Sequence, residues 1–237
     1  MNKFNKVGII GAMEVEVETL KKDMEVERTV SYAHMDFFEG MLCGMKTVVV
    51  RSGIGKVNAA VCTQILVDLF EVDAVINTGI AGSLNAALDI GDIVISNNVV
   101  HHDVDVAIFG CEPGEIPQLG AKSFDADADL IEVAQKVCAE VNPDINTKVG
   151  RVASGDQFIS SKEQKARIIS TFGALCAEME GASIGHTAWL NDKPFVILRA
   201  ISDKADESAT EDYPSFEKKA AEHCVKLSEG ILKELAG

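Results

Sequence analysis

The chain has 237 residues, 47% of them apolar but only 5% aromatic, and carries a formal net charge of -15 at pH 7. That acidity argues against nucleic acid and against an anionic membrane surface as partners, because both require a basic face, and the aliphatic content excludes a disordered chain. The length allows a sizeable core within one α/β domain spanning residues 1–237. In chain order, residues 7–10 form a short apolar run closed by Gly11 and read as a buried strand. Residues 14–24 read as a helix with acids in its first turn. Strand-like pieces at 26–32, 37–43 and 46–51, broken by Gly40 and Gly44, read as an antiparallel meander joined to the sheet. After the turn Ser52-Gly53-Ile54-Gly55-Lys56 comes a helix over 57–70, then buried strands over 72–78 and 93–100, the first ending in Gly79-Ile80-Ala81-Gly82. Residues 103–124 read as a long loop, of a size that is usually functional inside a compact domain. Helices over 127–141, 161–171, 179–190 and 215–235 alternate with strands over 148–154, 175–177 and 194–201. The expected fold is α/β: a central mixed, twisted sheet flanked by helices, without linker or repeat.

The six cysteines are widely spread with no C-x-x-C, so they read as small buried hydrophobes in a reducing compartment. No apolar run approaches about 18 residues and the N-terminus is too short for a signal segment. The expectation is a cytoplasmic, unanchored protein.

The glycine motifs invite two readings that fail. Gly8-Ile9-Ile10-Gly11 lacks the middle glycine of the dinucleotide fingerprint. Around Gly55-Lys56, Val50 stands where a P-loop needs glycine and Val57 where it needs Ser or Thr. What remains are three strands expected to end in glycine-rich turns, where backbone can approach a ligand at the carboxyl ends of strands. His101-His102-Asp103 has no H-x-x-x-H partner, so no metal is expected.

Three acids stand at strand ends: Glu16 after the first strand, Glu180 after 175–177, and Asp203 after 194–201. Each has a local explanation, Glu16 and Glu180 at helix N-termini and Asp203 as an N-cap. A parallel sheet would bring all three to one edge, and clustered carboxylates are what glycosidic hydrolysis uses.

The order and spacing of several motifs carry a resemblance. They are Gly8-Ile9-Ile10-Gly11-Ala12-Met13-Glu14-Val15-Glu16, Ser52-Gly53-Ile54-Gly55-Lys56-Val57, Asn77-Thr78-Gly79, His102-Asp103, Ser154-Gly155-Asp156 with Phe158-Ile159, Glu178-Met179-Glu180 and Arg199-Ala200-Ile201-Ser202-Asp203. Taken together they resemble the 5'-methylthioadenosine/S-adenosylhomocysteine nucleosidases of the purine nucleoside phosphorylase superfamily, essentially end to end. The resemblance implies hydrolysis of the N-glycosidic bond of an adenine thionucleoside, in methionine salvage and nucleoside catabolism, without cofactor or metal. Glu16 would activate water and Asp203, beside Ser202, would protonate N7 of the leaving adenine. Met179 and Glu180 would hold the ribose, Phe158 would stack on the base, and the Ile159 backbone would read its edge. Met13, Ile54 and Tyr213 would line the 5' pocket, with Ile80, Glu178, Arg199 and Ala205 completing the binding set. Val106, Phe109 and Pro117 would reach into a neighbouring subunit's site, implying a homodimer. Ile80 stands where some relatives carry Ser, which would remove a hydrogen bond to Asp203. Two other readings stay open: a sister hydrolase acting on aminofutalosine or 5'-deoxyadenosine, and a non-catalytic nucleoside-binding protein.

Overall fold

A computed structural model describes residues 4–237, apart from the side chains at 210 and 211. The first strand, β1 (Lys6–Gly11), leads into α1 (Glu14–Asp23), and a meander of β2 (Glu25–Tyr32), β3 (Met35–Leu42) and β4 (Met45–Arg51) follows. Then come α2 (Lys56–Phe70), β5 (Ala74–Ser83), β6 (Ile93–His101) and a short β7 (Phe124–Asp125). The remainder alternates: α3 (Ala128–Val141), β8 (Thr147–Ser154), α4 (Lys162–Phe172), β9 (Cys176–Glu178), α5 (Gly181–Leu190), β10 (Phe195–Asp203) and α6 (Ala209–Ala236).

All strands belong to one mixed sheet. Five of them close into a ring: β5 pairs with β10 in parallel, β10 with β6 antiparallel, β6 with β8 and β8 with β9 in parallel, and β9 with β5 antiparallel. The meander leaves this ring as an arm, β1 joining β5 and β4 in parallel and β3 and β2 following antiparallel. Its outer strand, β2, is exposed along most of its length and carries Glu25, Glu27 and Arg28, charges that discourage pairing at an open edge.

Period-two alternation explains why the inner strands are apolar throughout. On β10, Val196, Leu198 and Ala200 enter the core on the side of α1, α3 and α6, whereas Phe195, Ile197 and Ile201 enter the core under α2 and α5. Both faces are covered, so polar alternation would have nowhere to put its polar residues.

Three elements depart from their sequence-based limits. The last helix begins at Ala209 rather than 215, with Pro214 inside it. Asp212 N–H already bonds Ser208 C=O at 3.0 Å, so the chain winds before the proline. β5 runs through Gly79–Gly82 to Ser83 in extended form, and no helix follows these glycines. Finally, β9 runs antiparallel to β5, with Ala177 opposite Gly82, so Glu180 reaches the site against the strand direction rather than along a common parallel edge.

Candidate active site

The C-terminal ends of β1, β5 and β10 converge with the end of β9 around a cavity of about 290 Å³. Of the residues singled out in the sequence, Met13, Glu16, Ile54, Ile80, Phe158, Glu178, Met179, Glu180, Ser202, Asp203 and Tyr213 line it. Ile159 lies beside it, in a recess shared with Phe158, Met179 and Asp203. Phe158 and Tyr213 meet edge-to-face, with ring centroids 5.7 Å apart, and the Tyr213 hydroxyl donates to Met13 Sδ at 3.1 Å.

Glu16 belongs to the first turn of α1 and turns back on the strand end. Its Oε2 accepts from the N–H groups of Ala12 and Met13 at 2.7 and 2.9 Å, and its Oε1 from Ile80 N–H at 3.2 Å. Burial raises its pKa, against the pull of Arg199 and these three amides. Ile80 therefore serves Glu16 through its backbone. Asp203 takes its hydrogen bonds elsewhere: its Oδ2 accepts from Ser202 Oγ and its Oδ1 from Ala205 N–H, each at 2.8 Å. Ala205 makes this contact at φ 51°, beneath the cavity. Asp203 does not cap a helix, since α6 begins only at Ala209. Burial pushes its carboxyl up, with Asp212 and Asp206 adding to the rise.

The glycines of β5 have a steric reason. A Cβ on Gly79 would lie 2.7 Å from Glu16 Oε1 and 2.8 Å from Arg199 Nη1, and one on Gly82 would lie 2.8 Å from Asp203 Oδ1. They are gaps in a strand through which charged groups pass, rather than turns.

Arg199 lies beneath the cavity floor, 1% exposed. It pairs with Glu178, donates to Asn77 Oδ1 at 2.6 Å, and stands 3.9 Å from Glu180 Oε2. Asn77 in turn donates to Ile10 C=O at 2.8 Å. Glu178 also accepts from Ser154 Oγ and from Gly181 N–H at 2.8 Å. Burial pulls Glu178 upward, but Arg199, Ser154 and Gly181 together hold it below its usual range. Glu180 is left with one backbone donor, Gly55 N–H at 2.8 Å, and stands 3.9 Å from the same Arg199 Nη2 that pairs with Glu178. Burial and the negative Glu178 push its pKa up to about 8. One cation thus faces three neighbouring carboxyls, holding Glu178 below its ordinary pKa while burial raises Glu16 and Glu180. Truncating Arg199 would strand a buried charge, a change that costs about 3–5 kcal/mol.

The wall holding Gly55 is braced from outside. Asp103 Oδ1 accepts from Lys56 Nζ at 2.7 Å and its Oδ2 from Asp156 N–H at 3.0 Å, while Lys56 N–H donates to Asp156 Oδ1 at 2.8 Å. The sequence places these residues within motifs, and Arg199 in the binding set, but does not read the contacts among them. Their partners lie far apart in the chain, Lys56 and Asp103 by 47 positions, so no local pattern announces them.

Val106, Phe109 and Pro117 do not line this chain's cavity, and Phe109 is 83% exposed. His101 is buried with its ring edge-on to Phe124 and His186, away from the cavity. Among the described residues no group of three or more His, Cys, Asp or Glu could hold a metal ion.

Residues 6–235 match the family model described as the phosphorylase superfamily, which sets the class. A 5'-methylthioadenosine/S-adenosylhomocysteine nucleosidase of Exiguobacterium sp. is 42% identical over 231 residues, covering 97% of this chain and 98% of that one. The crystal structure of the Neisseria meningitidis nucleosidase of the same name, in complex with methylthio-immucillin-A, has a TM-score of 0.93 at 42% identity over 97% of this chain and 99% of that one. A futalosine hydrolase of Helicobacter pylori is also similar, with a TM-score of 0.92 at 34% identity over 97% and 98% of the two chains. Within the phosphorylase superfamily, the chain belongs to the 5'-methylthioadenosine/S-adenosylhomocysteine nucleosidase family.

Proposed function

We propose that the protein hydrolyses the N-glycosidic bond of 5'-methylthioadenosine and S-adenosylhomocysteine, with 5'-deoxyadenosine as a further substrate, releasing adenine and the corresponding ribose product. The carrying observation is the charge of the cavity wall: Glu16, Glu178, Glu180 and Asp203 line it, and no Lys or Arg among the described residues does. A phosphate nucleophile would be repelled by that wall, whereas water is not. In this reading Glu16 takes the proton of the attacking water and Asp203 protonates N7 of adenine as the bond breaks. Glu180 binds the ribose hydroxyls against Met179, and the acidic surroundings favour the positive charge that develops on the sugar. Phe158 stacks on the base and Ile159 reads its edge. Incubating the protein with methylthioadenosine is expected to release adenine at the same rate with and without phosphate; strict phosphate dependence overturns the hydrolase reading. Aminofutalosine in the same assay tests the sister activity, which uses the same chemistry and differs in the 5' pocket.

The functional form we propose is a homodimer in the cytoplasm, with Val106, Phe109 and Pro117 reaching the partner's 5' pocket. Ile108 and Phe109 are 88% and 83% exposed, and Val57 and Val61, one turn apart on α2, are 74% and 39% exposed. No helix among the described residues is long and apolar enough to cross a membrane. Sedimentation equilibrium is expected to give twice the chain mass of 25.4 kDa. Phe109→Asp is expected to shift the protein toward monomer and to lower adenine release at least about tenfold, as removal of an interfacial aromatic anchor does. A monomeric unaltered protein overturns the dimer.

A further inference from the structure

A second, open depression of about 360 Å³ adjoins the cavity and shares Ala12, Met13 and Ile54 with it as a common wall. On its far side lie Glu14, Arg51 and, on the β2–β3 turn, His34. Its position relative to a bound nucleoside follows from the ends of the cavity. Asp203 and Phe158 mark the base end and Glu180 the sugar, so the 5' carbon points toward Met13 and Ile54 and the depression continues beyond it.

The two thioether substrates differ only there. Methylthioadenosine ends in a methyl group on sulfur, whereas S-adenosylhomocysteine continues through two methylenes to a carboxylate and an ammonium group. The carboxylate has no partner within the cavity, where it would face carboxyls. The adjoining depression is lined by Arg51, a cation the cavity lacks. This residue ends β4 and lies in register opposite Gly11 on the parallel β1, and Ser52 N–H bonds Gly11 C=O at 2.9 Å. Its backbone is therefore fixed one strand spacing, about 4.8 Å, from the segment that carries Ala12 and Met13. The side chain is less constrained, being 55% exposed. Its Nε lies 3.8 Å from Glu14 Oε2, beyond hydrogen-bond length, and Glu14 already accepts from Lys21 Nζ at 3.0 Å with both oxygens. Arg51, Lys21 and Glu14 together leave one positive charge in excess beside an exposed carboxylate, a pattern that complements an amino-acid zwitterion.

We propose that Arg51, with Glu14 beside it, forms a subsite for the α-amino-acid end of S-adenosylhomocysteine and determines the preference between the two thioethers. The subsite rests on the nucleosidase reading above. The carboxylate lies against the guanidinium and the ammonium against the Glu14 side.

The test measures kcat/KM for S-adenosylhomocysteine, methylthioadenosine and the uncharged 5'-butylthioadenosine on the unaltered protein, Arg51→Met and Arg51→Lys. Arg51→Met is expected to lower the ratio of S-adenosylhomocysteine to methylthioadenosine efficiency about 5–20-fold, as an exposed charge-assisted contact allows. The loss is expected in KM, with the ratio of butylthioadenosine to methylthioadenosine efficiency constant and Arg51→Lys recovering part of it. Equal losses on all three substrates, an unchanged ratio, or a matching loss for butylthioadenosine overturn the subsite. Absence of adenine release from every thioether by the unaltered protein instead overturns the nucleosidase reading, and the subsite with it.

Discussion

Asp203→Asn is expected to lower kcat for adenine release about 10²–10⁴-fold, the range that a positioned general acid contributes, equivalent to roughly 2.7–5.5 kcal/mol of barrier. The amide keeps the shape of the carboxyl and can still accept from Ser202 Oγ or Ala205 N–H, so the architecture has little reason to change. What it lacks is a proton to give to N7. The pH dependence separates this loss from a structural one. Asp203 is held above its ordinary pKa by burial, and the acid must be protonated to act, so activity of the unaltered protein falls as pH rises through that raised value. The alkaline limb of kcat/KM is expected to vanish in the Asn variant. Stability should move the other way. A carboxyl raised on folding contributes stability that is full below its ordinary pKa and is lost as pH rises through the folded one. Asn carries no such loss, so its Tm should gain on that of the unaltered protein at alkaline pH. Near-normal adenine release across the pH range would sink the general-acid role.

Glu16→Gln is expected to cost a similar factor, about 10²–10⁴ in kcat, and to remove the opposite limb. Burial raises Glu16 as well, but a base must be ionised, so activity of the unaltered protein rises with pH through its pKa. The Gln variant loses that acid limb. It also carries a structural cost absent at Asp203. Three backbone N–H groups, those of Ala12, Met13 and Ile80, converge on the Glu16 carboxylate, and a Gln side chain turns an NH₂ toward at least one of them. Leaving such a donor unsatisfied costs about 1–3 kcal/mol. A lower Tm accompanied by loss of the acid limb supports the base role; a lower Tm with the limb intact assigns Glu16 to structure alone.

How much of this was legible in the chain depended on range. Apolar runs such as Val48-Val49-Val50 place inner strands well, because both sheet faces are covered and period two leaves no polar interruption. The meander was legible from its glycine breaks. Gly79 to Gly82 misled because glycine favours turns locally, while its reason here is tertiary: Glu16, Arg199 and Asp203 need the volume a Cβ would fill. The start of α6, expected at 215, lies at Ala209, with Pro214 inside the helix. At the site, Glu16, Glu180 and Asp203 stood out as acids at strand ends, and the structure brings them to one cavity. The direction of β9 was not legible, since a three-residue strand carries no signal for which neighbour it joins. Nor was the division of labour around Arg199, which pairs with Glu178 and holds it low while burial and Glu178 raise Glu180.

The closed ring of strands has a consequence for how a newly made chain acquires its site. β5 supplies the Ile80 N–H for Glu16 and the gap at Gly82, yet its neighbour along one edge is β10, and Asn77 and Arg199 stand 122 positions apart. A ribosome adding about 5–20 residues per second needs roughly 6–24 s to cover that distance. Until then the apolar flank of β5 has no β10 to pair with, and the Glu16 end of the pocket exists without its arginine or its acid. Synthesis from the N-terminus therefore delivers Glu16 first and Asp203 almost last. The nascent chain spends that interval with an apolar strand open along one edge, the condition in which chaperone binding or misassociation competes with folding.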